Sequence, residues 1–263
     1  MGRYHAILFD MDGTLLDTLT DMQDAVNHVL AAHGLPLRTL EEVRCFVGNG
    51  AGPLIHRALP EGYPQEQKVL AEYRAYYQAH NCVQTCPYPG IPELLERLEV
   101  GLLVLPDVEE DDPLRREITA LAEEKGIETL FLAEDGDVTF GESALRIYAP
   151  LGSGGANEEG LSVLCTAGDF DGLITGDMND TVEKRLIKYG SLPDLELLVA
   201  GHHGSKYATS EELLLATTPE LAVISVGYNT YGHPAPETLE RLAAAGCAIY
   251  RTDWSGTVTI TAK

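Results

Sequence analysis

The chain has 263 residues, 44% of them apolar, enough for one large domain or two modest ones with cores of their own. Its 41 acidic residues outweigh 18 basic ones and leave a formal charge of −23, a field that repels phosphate backbones and argues against stable nucleic-acid binding while leaving transient catalysis on one open. No run approaches the ~20 apolar residues of a membrane span, and Met1-Gly2-Arg3 leads into a strand and a charged turn rather than a signal-peptide core, so a cytoplasmic protein without membrane contact is expected.

The first element in chain order is an apolar strand in HAILFDMDGTLLDT. It runs into two acids, Asp10 and Asp12, then Gly13 and Thr14, so carboxylates gather where a buried strand ends. Asp17 and Thr18 are suited to cap the apolar-periodic stretch TDMQDAVNHVLAAHG, which Gly34 and Pro36 close. A second helix is expected in TLEEVRCFVG, where Thr39 and Glu42 have capping-box spacing, and a third in PQEQKVLAEYRAYYQAH. PYPGIPELLERL reads as a turn followed by a short helix. Five cysteines, Cys45, Cys82, Cys86, Cys165 and Cys247, form an odd, scattered set; Cys82 with Cys86 has no second pair to make a zinc knuckle, so reduced, mostly buried thiols are expected.

Asp10-Met11-Asp12-Gly13-Thr14-Leu15-Leu16-Asp17-Thr18, the loop Val47-Gly48-Asn49-Gly50, and Tyr88-Pro89-Gly90 before a leucine-rich helix resemble haloacid-dehalogenase (HAD) superfamily phosphatases with a helical cap, particularly the phosphoglycolate phosphatase branch. The resemblance spans about residues 3–98. It implies that Asp10 attacks phosphorus, that Asp12 serves as general acid and base, and that both help to hold Mg2+. Thr14, Gly48, Asn49 and Gly50 would meet a small phosphorylated substrate. The chemistry is consistent, because a carboxylate can form an aspartyl-phosphate while magnesium neutralises the surrounding oxygens. The plainer alternative is a strand-ending turn whose acids cap a helix.

After its cap, such a phosphatase needs a strand ending in Ser or Thr, then a lysine, then an acidic pair. Here VGLLVLPD ends in Pro106 and Asp107 and passes into EEDDPLRREITALAEEKG, which reads as a solvated helix with acids at its start. Lys125 is a candidate for the missing lysine, but its place before Gly126 at that helix's end reads better as a surface residue.

From about residue 100 the pattern changes to short apolar strands, TLFLA, ALRIYAP, LSVLCTA, DGLIT, LELLVAG, LAVISVG and TVTITA, separated by Gly-, Asp- and Asn-rich turns. This block carries 28 acids against 11 bases, whereas residues 1–99 carry 13 against 7. The ordered set Ile174-Thr175-Gly176-Asp177, Ala200-Gly201-His202-His203-Gly204-Ser205, Tyr231-Gly232-His233-Pro234-Ala235-Pro236-Glu237 and Tyr250-Arg251-Thr252-Asp253 resembles the metallo-β-lactamase-like domain of ComEC-type DNA-uptake proteins. The resemblance makes Asp177 a metal-bridging carboxylate, His202 or His203 an imidazole ligand, and His233 a proton donor or substrate contact. Carboxylate and imidazole suit Zn2+, with Mn2+ as the other candidate, and a hydroxide held between two metals can attack a phosphodiester. On a continuing strand, adjacent His202 and His203 would face opposite sides, leaving one of them as ligand. Asp180 and Glu183 have capping-box spacing for the helix VEKRLIKYG. The HxHxDH cluster that supplies most of that family's ligands has no counterpart here: His5, His28, His33, His56 and His80 are scattered through the first block.

The expected fold class is therefore α/β. Residues 1–99 would supply a partial HAD-like strand with helical cap, and residues 100–263 half of a metallo-β-lactamase-like αββα layered domain, fused near residues 98–101. Each half would leave sheet edges unpaired and so favour self-association. Three functional classes follow: a magnesium-dependent phosphomonoesterase, a zinc- or manganese-dependent phosphodiesterase, and a catalytically inactive chimaera. In each, one or both catalytic sets are incomplete.

Overall fold

The computed structural model describes residues 9, 13–48, 50–108, 113–152, 159–227, 229 and 232–261. Two compact units emerge: residues 1–103 with 110–129, and residues 104–109 with 130–263.

The first unit begins its described part with β1 (Leu16–Asp17), followed by the helices α1 (Leu19–Ala32), α2 (Leu40–Phe46), α3 (Ala51–Ala58) and α4 (Glu66–His80). Of the two residues expected to cap α1, Asp17 does so and Thr18, at the N-cap position, makes no side-chain cap hydrogen bond. Asp17 Oδ1 accepts from the Leu19 N–H at 3.2 Å, and Thr39 and Glu42 make the reciprocal capping box that starts α2. The helices bury Val26, Leu30, Val43, Leu54, Ile55, Val69 and Tyr73 against one another. After α4 the chain returns through β2 (Cys86–Pro87), antiparallel to β1, and continues into α5 (Ile91–Glu96). One buried carboxylate secures that return. Asp21, in the first turn of α1, accepts from the N–H groups of Val83, Gln84 and Thr85 and from the Thr85 hydroxyl, at 2.8 to 3.1 Å.

VGLLVLPD forms the expected strand, β3 (Leu102–Pro106), and the acidic stretch forms α6 (Pro113–Glu124). TLFLA supplies β4 (Glu128–Leu132), which pairs with β3 in a separate two-stranded ribbon rather than joining the main sheet.

The second unit is built on seven strands: β5 (Gly136–Phe140), β6 (Ser143–Tyr148), β7 (Ser162–Ala167), β8 (Phe170–Ile174), β9 (Leu197–Val199), β10 (Leu221–Ile224) and β11 (Ala248–Arg251), in the spatial order 11-10-9-8-7-6-5. Strands β5 to β8 are an antiparallel meander; β8 to β11 run parallel. The parallel half needs crossovers, which α7 (Asp180–Tyr189), α8 (Glu211–Thr217) and α9 (Pro236–Ala244) provide, and the short α10 (Thr252–Ser255) follows β11. Leu173, Leu186, Leu198, Leu213, Ile224 and Leu242 form the core between sheet and helices, each with no exposed surface.

Several expectations require correction. TVTITA is not a strand: residues 257–261 carry no ladder, and the edge position belongs to β11, four residues around Tyr250. GDVTF, on the opposite edge, is a strand that its polar composition hid. His202 and His203 do not continue a pleat; they lie in a 3-10 turn, Gly201–Gly204, with φ of 47° and 54°. Helix α7 is capped by Asn179, whose side chain accepts from Thr181 and Val182, and not by Asp180. All five cysteines are free thiols, but only Cys247 is buried and Cys86 is exposed. No helix among the described residues is long and apolar enough to cross a membrane.

Candidate functional site

Three neighbouring parallel strands, β8, β9 and β10, end on one side of the sheet, and the residues after each end carry the polar chemistry. In open sheets with parallel strands this is where ligands are received. Beyond β8 come Gly176 and Asp177, beyond β9 the Gly201–Gly204 turn, and beyond β10 the loop that bears His233. His202 Nε2 stands 3.9 Å from Asp177 Oδ2, and the His202 ring centroid lies 5.8 Å from that of His233 and 6.4 Å from that of His203. The structure thus brings Asp177, His202, His203 and His233 together.

The local backbone explains how. A Cβ on Gly204, whose φ is +81°, would fall 2.6 Å from Pro234 Cβ, and one on Gly201 would meet the Thr175 hydroxyl at 2.9 Å. Only glycine permits the turn to press this closely against its neighbours. The His202 N–H donates to the Gly176 carbonyl at 3.0 Å, tying the second strand end to the first. The third is held by Asn229, whose Oδ1 accepts from the N–H groups of Gly232 and His233 while its Nδ2 donates to the His233 carbonyl.

Three non-glycine residues of this loop, His202, His203 and Thr209, have positive φ, a conformation worth roughly 1–3 kcal/mol of strain each. The loop is held in place from several directions. Buried Glu183 on α7 accepts from the N–H groups of Thr209 at 2.5 Å and Ser210 at 2.8 Å, and burial raises its carboxyl above the ordinary glutamate range. Thr209 Oγ1 accepts from the Gly201 N–H, and Arg241 donates to the carbonyls of Lys206, Ala208 and Thr209. Sequence reading missed Glu183, Asn229 and Arg241 as supports. Glu183 does carry a signal, since it lies on the face of α7 that buries Val182 and Leu186, where a helix-start acid has no reason to be.

The two adjacent histidines have different partners. His203 Nδ1 donates to the Ser225 carbonyl at 2.8 Å, an orientation that leaves Nε2 as the lone-pair nitrogen, whereas His202 faces Asp177. Two imidazoles on one tetrahedral zinc place their ring centroids roughly 5 Å apart, closer than either pair here. Among the described residues no group of three or more His, Cys, Asp or Glu gathers tightly enough to hold a metal ion. As arranged, these donors do not fit a closed zinc or manganese site.

In the first unit, Asp10, Asp12 and Asn49 lie outside the described residues. Thr14 is exposed just after Gly13, whose N–H donates to the Leu16 carbonyl at 2.9 Å. Gly48 and Gly50 have φ of 121° and 83°, and Gly50 opens α3.

Residues 7–105 match the family model for haloacid dehalogenase-like hydrolases. The N-acetylmuramic acid 6-phosphate phosphatase of Pseudomonas aeruginosa is 41% identical over 104 residues, which cover 39% of this chain and 46% of that protein. The phosphoglycolate phosphatase of Pseudomonas syringae is 42% identical over 101 residues, 35% of this chain and 36% of the relative. ComE operon protein 3 of Bacillus subtilis is 28% identical over 169 residues, 63% of this chain and 22% of the relative, a longer stretch than the phosphatase-like block contains. The chain spans less than half the length of each of these relatives. Its N-terminal part is similar to haloacid dehalogenase-like hydrolases, and the curated relatives matched there are named as phosphatases.

Proposed function

We propose that this chain is a hydrolase-family hybrid, in which the cap-bearing front of a HAD-like, magnesium-dependent phosphomonoesterase is joined to the ComEC-like half of a metallo-β-lactamase-like domain, with neither catalytic set complete. The observation that supports the reading is the change of architecture between the cap helices and the seven-stranded sheet that begins at Gly136. A phosphatase-like helical block is followed by a sheet whose parallel strand ends gather Asp177, His202, His203 and His233, and the strand directly after the cap, β3, ends in Pro106 rather than in Ser or Thr. In the first block Asp10 would be the nucleophile and Asp12 the proton carrier toward a small phosphorylated substrate, with Thr14 and Gly48-Asn49-Gly50 on its surface. The phosphoryl-stabilising groups that should complete that site are the missing part. The acidic second block supports a protein that does not hold nucleic acid stably, and a cytoplasmic setting without membrane contact agrees with the composition.

The test uses the full chain with p-nitrophenyl phosphate and Mg2+, and separately with bis(p-nitrophenyl) phosphate and Zn2+ or Mn2+, beside Asp10→Asn and Asp177→Asn. Rates at the uncatalysed background in all three proteins are expected. Robust turnover abolished by either single substitution overturns the proposal.

A second reading, a metal-dependent phosphodiesterase, is favoured by the 3.9 Å approach of His202 to Asp177 beside His233. It requires a further donor beyond the two that face each other. Diester hydrolysis lost in Asp177→Asn and His202→Ala but kept in Asp10→Asn would establish it.

A further inference from the structure

The seven-stranded sheet has two edges, and they are guarded differently. At β5, Asp137 lies on the edge strand itself and Asp135 immediately precedes it; both pair with Arg146 of β6, at 3.2 and 3.5 Å. Charges on an edge oppose the approach of another strand. At β11 the situation is reversed. The Ala248 N–H turns inward to the Glu220 carbonyl, so strand alternation aims the backbone groups of Ile249 and Arg251 at the open side. The charges nearest this edge neutralise each other: Arg251 pairs with Asp253 at 2.6 and 3.0 Å and lies over the Trp254 ring at 3.9 Å. Trp254 is 77% exposed and Tyr250 44%.

Shortly after β11 the chain carries Thr257-Val258-Thr259-Ile260-Thr261, five β-branched residues without a charge. Their exposure alternates, Val258 and Ile260 half-buried and the three threonines exposed, yet no ladder includes them. β-Branching and period-2 alternation are the properties of a strand, and only the partner is missing.

We infer that two copies of this chain form a symmetric dimer by reciprocal strand addition, residues 257–261 of each copy pairing with the β11 edge of the other. A second copy is the occupant the observations favour, because one chain supplies both an open acceptor edge and an unpaired donor strand. Two such chains satisfy each other in a closed, isologous arrangement. The strip is also neutral within a chain of net charge −23, so it is a place where two copies can meet without confronting like charges. The guarded β5 edge takes no part. The inference does not depend on either catalytic reading.

Sedimentation velocity on the full chain at micromolar concentration tests it. The wild type is expected at twice the 28.5 kDa chain mass. Thr259→Pro removes an N–H that makes no backbone hydrogen bond among the described residues, so the fold is retained while the dimer dissociation constant rises by about tenfold or more. Val258→Lys, which puts a charge in the strip, acts in the same direction. Thr139→Lys on β5 leaves the dimer intact. A monomeric wild type overturns the proposal, as does a dimer that survives both Thr259→Pro and Val258→Lys. Dissociation by Thr139→Lys moves the interface to the other edge and overturns it equally.

Discussion

The two units solve the same problem, holding a loop against a helix, with the same device in different surroundings. In the helical unit Asp21 on α1 collects three backbone N–H groups and a hydroxyl from residues 83–85. In the sheet unit Glu183 on α7 collects two N–H groups from residues 209 and 210. Both carboxylates are buried, and neither belongs to the motifs that first draw attention to catalysis. The difference is in what they secure. Asp21 fixes the return from the cap helices, a fold-level junction, whereas Glu183 fixes the strained turn that presents His202 and His203. A buried acid is thus evidence of architecture until its partners have been counted.

That comparison can be broken at its strongest point first. Leu173 is fully buried at the centre of the sheet, as Leu30 and Ile55 are among the helices of the first unit. Leu173→Ala is expected to cost about 3–4 kcal/mol, measured by urea unfolding through the fluorescence of the chain's single tryptophan, Trp254. A loss under about 1 kcal/mol would mean that the sheet core is poorly packed. Next comes Asp21→Ala, which strands four donors. About 2–3 kcal/mol should be lost, and amide exchange at residues 83–85 should accelerate most; unchanged exchange there would remove Asp21 from its anchoring role.

Glu183→Gln sharpens the comparison because it titrates. One of the two accepted N–H groups loses its oxygen, for about 1–2 kcal/mol at acid pH. Burial sets the folded carboxyl above its ordinary 4.5, so proton binding favours the folded state; this contribution is fully present below pH 4.5 and is lost as pH rises through the folded value. Glutamine has no such dependence, so the stability gap between wild type and variant should shrink as pH climbs above 4.5. A gap that widens contradicts the assigned direction. The smallest effect is expected from Asn179→Ala, about 1 kcal/mol for the lost cap of α7, read from thermal unfolding.

The first unit was the more legible because its signals are local. Asp17, Thr39, Glu42 and Gly90 act on backbone groups within a few residues, so the ends of α1, α2 and α5 can be read without knowing the rest of the chain. The motif residues of the second block were legible as types: Gly176-Asp177, the Gly201–Gly204 turn and His233 do assemble at adjoining strand ends. Their geometry was not. The left-handed turn that sends His202 toward Asp177 and His203 toward Ser225 depends on Pro234, Thr209, Glu183 and Arg241, which are distant in sequence.

By itself, the order of amino acids determined α1, α2, α4, α5, α6 and α7, the caps at Asp17 and at Thr39 with Glu42, and most of the apolar strand segments, because periodicity and capping are written in adjacent residues. Only the tertiary structure decided which strand segments found partners. GDVTF acquired a neighbour and became an edge of the sheet, while the more strand-like TVTITA remained without one. A β-strand exists through hydrogen bonds to another segment, and no propensity within five residues can supply that segment.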